Sequence, residues 1–186
     1  VRSMIFFLFI LGLTGGVKAQ ESKGPAGKPA HDKPMPPVSV ILKDAQGKQV
    51  GDVNFTQEAE GVKTVVNLTG MPDGTYAFHI HEKGSCLPPE FKSAGDHFNP
   101  DKKKHGQVKG GPHAGDFKNV EVKSGRGHLE EINKNISLLS GPNSLLRAEG
   151  TSVVVHEKGD DYKSQPAGAS GKRIACGVVK TPDRAN

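Results

Sequence analysis

The sequence predicts an all-β domain: eight short antiparallel strands forming a sandwich or flattened barrel, with two long loops set aside for function. Three observations predict it. Apolar residues recur every second position in the ordered-looking stretches. Turn residues punctuate the chain at short intervals. No long stretch carries an amphipathic helical pattern, so antiparallel strands joined by turns are what remain.

In chain order, Val38, Val40 and Leu42 alternate with Ser39, Ile41 and Lys43, and Gly51 to Thr56 continues in the same style. Val62, Thr64, Val66 and Leu68 alternate with Lys63, Val65 and Asn67. Tyr76, Phe78 and Ile80 alternate with Ala77, His79 and His81. Phe117 to Lys123, Gly127 to Ile132, Ser152 to Val155 and Arg173 to Val179 complete the set. Asp44-Ala45-Gln46-Gly47, Met71-Pro72-Asp73-Gly74 and Ser124-Gly125 supply turns between them. Asn133 to Arg147 has room for a helical turn at most. Glu82 to Asp116 and Glu157 to Lys172 are too long for hairpins, and loops of that length in a compact domain are usually functional.

The ends read differently. Val1 to Ala19 carries a basic Arg2, an apolar run from Ile5 to Leu11 and a small-x-small Val17-Lys18-Ala19, the pattern of a cleaved export signal. The apolar run is too short to span a bilayer. No cysteine lies beside that site, which argues against a lipid-anchored precursor. Residues 20–37, rich in Pro, Gly and Lys, read as a tether with little to bury, and its His31 as a solvated residue. The domain proper is then 38–186. Loss of Arg2 and Lys18 would lower the formal charge from +5 to +3. That bias is too small to argue for nucleic acid, and no aromatic-basic interleaving supports it. Cys86 and Cys176 are the only cysteines. In an exported chain two cysteines most simply form one disulfide; the alternative is two buried thiols.

The chemistry lies in the histidines. Six of eight, His79, His81, His97, His105, His113 and His156, fall with Asp116 in one part of the chain. Imidazole and carboxylate suit zinc and copper, and three or four such donors make a site, so seven are enough for two. His79 and His81, one residue apart on a strand, put both rings on one face. His97, His105, His113 and Asp116 recur in a Gly- and Pro-rich loop that can wrap an ion, and three nitrogens with one oxygen make a closed zinc set. Lys102-Lys103-Lys104 among them reads as a solvated turn.

These segments resemble the copper/zinc superoxide dismutases from about Val38 to Val179. The matching motifs are FHIHEKG (78–84), GDHFNP (95–100), KHG (104–106), PHAGD (112–116), VVHEKGDD (154–161) and GKRIACGVV (171–179). The resemblance implies a Greek-key barrel, with copper on His79, His81, His97 and His156 and zinc on His97, His105, His113 and Asp116. It makes His97 the bridge, Asp160 the carboxylate behind His79 and His105, and Arg173 the cation beside copper. Cys86–Cys176 becomes the disulfide. Two departures stand out: Tyr76-Ala77 replaces the family's usual His-Gly, and the loop after His156 is short, as in the bacterial, periplasmic branch. Steering residues of the longer loop therefore cannot be carried over to this chain.

The implied reaction is the dismutation of superoxide to oxygen and hydrogen peroxide by copper cycling between Cu(II) and Cu(I), with His97 as proton donor. A non-catalytic copper- and zinc-binding protein of the same fold is the alternative. A zinc hydrolase needs an open zinc position, and four protein ligands fill this one. The resemblance leaves a monomer or a homodimer open.

Overall fold

The computed structural model describes Val1 and residues 35–181; the rest of the predicted leader, most of the tether and residues 182–186 lie outside the described residues. Nine strands build one antiparallel sheet: β1 (Val38–Asp44), β2 (Gln49–Glu58), β3 (Gly61–Thr69), β4 (Gly74–Tyr76), β5 (Phe78–His81), β6 (Val120–Lys123), β7 (Arg126–Asn133), β8 (Thr151–His156) and β9 (Arg173–Val179). Their order across the sheet is β4-β6-β7-β3-β2-β1-β9-β8-β5. The two edges, β4 and β5, are consecutive in sequence and parted only by Ala77. Ala77 donates its N–H to Lys158 O and accepts from His156 N–H, both at 2.9 Å. The sheet therefore curls round and nearly closes, which leaves little exposed edge.

The predicted eight strands become nine at this point. Tyr76 to His81 is one alternating run in the sequence, but at Ala77 the backbone leaves its partner β6 and takes up β8. Tyr76 and Ala77 fit the break. Ala77 is fully buried, and the Tyr76 hydroxyl donates to Pro72 O at 2.9 Å while its ring packs in the core. The Phe117 to Lys123 run shortens to β6, because Asn119 gives its N–H to the Tyr162 hydroxyl rather than to a strand. Asn133 to Arg147 holds no helical turn. Gln57 pins it instead, its Oε1 accepting from Leu138 N–H at 2.8 Å.

The alternation works as predicted on β1 and β3: Val38, Val40, Leu42, Val62, Val66 and Leu68 point into the core, and Ser39, Ile41 and Lys43 face out. Full burial of such side chains is worth roughly 1.5–3 kcal/mol each. Met35, from the compositional tether, packs against the same core. The Ser124-Gly125 hairpin has φ of 52° and 72°, the paired positive values of a type I′ turn, which matches the twist of its strands. On β5 and β8, by contrast, every residue is buried. Phe78, Ile80, Val153 and Val155 fill the core from one face; the two long loops cover the other, where His79, His81 and His156 lie.

Candidate metal centre

The loop from residue 82 to 119 lies along the free edge of β5. Ile80 N–H bonds Gly115 O, Phe98 N–H bonds Ile80 O, and Gly115 N–H bonds Phe98 O, at 2.8–2.9 Å. A Cβ at Gly115 would collide with Ile80 O, so the close approach needs glycine. These bonds set His97 beside His81 and Asp116 beside His79 as bridge partners. The Cys86–Cys176 disulfide, with Cα atoms 5.7 Å apart, ties the same loop to β9.

All seven predicted ligands converge. The ligand atoms of His79, His81, His97 and His156 lie within 4.8 Å of one another, and so do those of His79, His97, His105 and Asp116. His113 joins the second group by contact: its Nδ1 is 3.3 Å from Asp116 Oδ1 and 3.4 Å from His97 Nδ1. His79 and His97 are common to both groups, and His79 Nε2 is bonded to Asp160 Oδ2 at 2.8 Å. Asp116 Oδ1 also stands 2.9 Å from His97 Nδ1 and 3.1 Å from His105 Nδ1. Spacings near 3.3 Å are those of tetrahedron corners about 2.0 Å from their centre, the zinc–nitrogen distance.

The partners of the rings decide which nitrogen is bare. His81 Nδ1 bonds Gly95 O at 2.9 Å. His156 Nδ1 meets Ser170 Oγ at 3.1 Å and Gly171 O at 3.4 Å. His105 Nε2 bonds Asp160 Oδ1 at 3.0 Å. Left over are His79 Nδ1, His81 Nε2, His97 Nε2 and His156 Nε2, all buried and none with a hydrogen-bond partner, and His105 Nδ1, whose one neighbour is Asp116 Oδ1 at 3.1 Å. A buried polar atom without a partner costs about 1–3 kcal/mol. Four of the five face one another in the first group, and the arrangement fits a metal ion.

Electrostatics agree. Burial, with His79 nearby, pushes His156 down to about 3. Burial also takes His97 to about 4 against the opposing pull of Asp116, and burial lowers His79 and His81 too. These rings stay neutral, as metal ligands must be. Burial would lower His105 as well, but Asp116 and Asp160 outweigh it and raise the ring to about 9. Asp116 lies far below the usual carboxylate range: burial would raise it, but bonds from His105, His113, His97 and Gly106 N–H prevail.

A family description, copper/zinc superoxide dismutase (SODC), matches residues 49–179. The chain belongs to that family. Superoxide dismutase [Cu-Zn] 1 of Aquifex aeolicus is 47% identical over 143 residues, covering 75% of this chain and 85% of its own length. The Caulobacter vibrioides superoxide dismutase [Cu-Zn] is 37% identical over 147 residues, covering 76% and 84%. Among solved structures, an SOD-like protein from Bacillus subtilis superposes with a TM-score of 0.72 at 37% identity, over 76% of this chain and 97% of that one. The chain is thus an oxidoreductase of the copper/zinc superoxide dismutase family, with superoxide as substrate and copper and zinc as cofactors.

In this dismutase the predicted outer residues have visible partners. Asp160 spans His79 and His105. Arg173 donates to Phe91 O at 2.8 Å and to Gly95 O at 2.7 Å, beside a recess of about 900 Å³ that also reaches His81, His97 and His156. Of Lys102-Lys103-Lys104, Lys102 and Lys104 are exposed and Lys103 is half-buried, and Lys102 lines the same recess as Arg173. His128 sits apart on the outer sheet, bonded to Asn67 Oδ1 at 3.0 Å; His31 lies outside the described residues.

Three residues escaped the sequence reading. The Asn119 carboxamide holds both backbone groups of Asp160, at 2.8 and 3.0 Å. That of Gln165 holds both backbone groups of His105, each at 2.9 Å. Ser170 meets His156. The available signal was only a polar side chain in a glycine-rich loop. Gly168 completes the packing: a Cβ there would strike Asp160 Oδ1.

Proposed function

We propose that His79, His81, His97 and His156 hold copper, that His97, His105, His113 and Asp116 hold zinc, and that the His97 ring joins the two ions. One observation carries this reading: the four mutually facing, partnerless nitrogens of His79, His81, His97 and His156. His97 alone turns its other nitrogen, Nδ1, to Asp116 and His113. Copper would supply a one-electron couple at the first set, and zinc a fixed charge without redox chemistry at the second.

The residues themselves define how the substrate is handled. Dismutation turns two superoxide anions and two protons into dioxygen and hydrogen peroxide. Arg173 presents positive charge at the recess and draws the anion toward His81, His97 and His156. With Nδ1 engaged, Nε2 is the one ring atom of His97 that can carry a proton to the anion being reduced; water in the recess supplies the second. Asp160 fixes the orientation of His79 and His105 behind the ligands and raises their basicity.

A signal over 1–19, a tether over 20–37 and a domain over 38–186 accompany this reading, with export to a bacterial periplasm. The paired Cys86 and Cys176 support an oxidising compartment, and among the described residues no helix is long and apolar enough to cross a membrane. Metal analysis and electron-resonance spectra of purified protein test the assignment. One copper and one zinc per chain, with dismutase activity, is the expected result. A single mononuclear site, or both metals without activity, counts against it; the second outcome would favour the non-catalytic alternative.

A further inference from the structure

Ser170 sits two residues past Gly168, in the loop between β8 and β9, and is only 2% exposed. Its hydroxyl has two neighbours: Ala167 O at 2.9 Å and His156 Nδ1 at 3.1 Å. A hydroxyl has one proton, and a carbonyl oxygen can only accept. The Ser170 proton therefore goes to Ala167 O, and the Ser170 lone pair faces Nδ1. Nδ1 must then carry the ring proton, which leaves Nε2 bare. The opposite arrangement would put the proton on Nε2, which has no hydrogen-bond partner, and would leave that nitrogen unable to hold an ion. Gly171 O also lies near Nδ1, but at 3.4 Å it is beyond the ordinary range for a firm N–H···O bond.

From this geometry we infer that Ser170 is a positioning residue for the reaction: it fixes the tautomer and ring orientation of His156 and raises the donor strength of Nε2. The inference rests on the assignment of His156 to copper. Partners of this kind orient a ligating imidazole and make it more basic, and their loss typically weakens metal binding or activity 10–100-fold. A more basic nitrogen favours Cu(II) over Cu(I), so Ser170 acts to lower the reduction potential of the site. His79 and His81 obtain the same service from the Asp160 carboxylate and the Gly95 carbonyl. For His156 a side-chain hydroxyl does it, so a single substitution can remove it.

The test compares Ser170→Ala, Ser170→Thr and His156→Ala in the copper- and zinc-loaded protein. Three quantities are read: the Cu(II) electron-resonance spectrum, the reduction potential, and the rate of copper loss to excess chelator. Ser170→Ala is expected to change the spectrum, raise the potential and speed copper loss about tenfold, the low end of the range because Gly171 O remains as a distant acceptor. Zinc content should not change. Ser170→Thr, which keeps the hydroxyl, should restore all three. If Ser170→Ala does not fold, Ser170→Cys keeps a side chain of similar size with only a weak acceptor and is expected to shift the same quantities in the same directions. A Ser170→Ala protein that melts lower but keeps its spectrum, potential and copper release would overturn the inference and leave a packing role. His156→Ala separates the two levels. If it keeps copper and the original spectrum, the ligand assignment fails; if it loses them while Ser170→Ala is silent, only the role of Ser170 fails.

Discussion

His79, His81 and His156 project from β5 and β8, whereas His97, His105, His113 and Asp116 come from a stretch, 82–119, that holds one short 3-10 turn and isolated bridges but no strand. His79 and His81 are placed by a ladder, Phe78 to His81 pairing in register with Val155 to Ser152; His156 is placed by its pairing with Arg173 of β9, just past a register shift at Val155. Fixing those pairings fixes the rings. The other four need ties from elsewhere: the disulfide, the Asp160 carboxylate, the Asn119 and Gln165 carboxamides, and the hydrogen bonds along β5. A strand-borne ligand inherits the stability of the barrel, while a loop-borne ligand is only as secure as its ties. Perturbations should therefore reach the His105 side before the His79 side.

The largest such perturbation is reduction of Cys86–Cys176. Closing a loop with a sequence separation of 90 stabilises by roughly 4–5 kcal/mol on the chain-entropy model. Reduced, metal-free protein should melt clearly below the oxidised form in calorimetry, and the reduced holoprotein should yield zinc to a chelator before copper. Copper leaving first would mean that the strand-borne set is the weaker one.

Asp160→Asn comes next. This carboxylate touches both sides, through His79 and His105. An amide offers one acceptor where two ring N–H groups need one each. Zinc affinity should fall about 10–100-fold, and copper affinity less, since His79 keeps its strand. His105→Ala should go further on one side only, releasing zinc while copper stays. Equal loss of both metals in either variant would break the distinction between ladder and loop.

This contrast also explains what could be read in advance. Strands were legible because a two-residue period is local, and the ligands because histidine and aspartate carry metal chemistry at whatever distance they meet. The break at Ala77 was not legible: the alternation runs through it unbroken, and only the closing of the barrel makes the backbone change partners. Ser170, Asn119 and Gln165 were not legible either. They act on residues 14, 41 and 60 positions away, with groups that any polar surface carries.

Arg173 tests the recess shared by both sides. A unit charge about 6 Å from the anion, at an effective dielectric of roughly 40, is worth about 1.4 kcal/mol, or tenfold in capture. Arg173→Ala should lower the second-order rate by about that factor, Arg173→Glu by more, with metal content unchanged. Added salt should slow the natural protein more than Arg173→Ala, because the variant has lost part of the field that ions screen, Lys102 and Arg147 of the recess remaining. The structure adds a further consequence. Gly95 O accepts from both Arg173 and His81, so Arg173→Ala also removes one restraint on a strand-borne ligand's partner. Arg173→Lys, which keeps the charge without the two-pronged grip, separates the contributions: a rate near that of the natural protein assigns the effect to charge, and a rate near that of Arg173→Ala assigns it to the grip.

The smallest expected effect is the sharpest measure of the difference between loop and ladder. Gln165 is exposed, yet its carboxamide donates to His105 O and accepts from His105 N–H, each at 2.9 Å, as a neighbouring strand would. It supplies to a loop residue what β8 supplies to His79. A hydrogen bond nets about 0.5–1.5 kcal/mol, and solvent access puts these two at the low end, near 1 kcal/mol together, or about fivefold. Gln165→Met keeps the length and removes both bonds, together with the exposed one from Gln165 Nε2 to Lys163 O at 3.0 Å. Zinc release to excess chelator should then quicken about fivefold, with the Cu(II) spectrum and the copper release rate unmoved. Gln165→Glu should be at least as damaging, since a carboxylate cannot donate to His105 O and would face it with negative charge. If Gln165→Met loosens copper as much as zinc, the two sides are coupled through the shared His97 ring more tightly than their separate supports suggest. If neither metal responds, the ring contacts of His105 with Asp160 and Asp116 position it without help from its backbone.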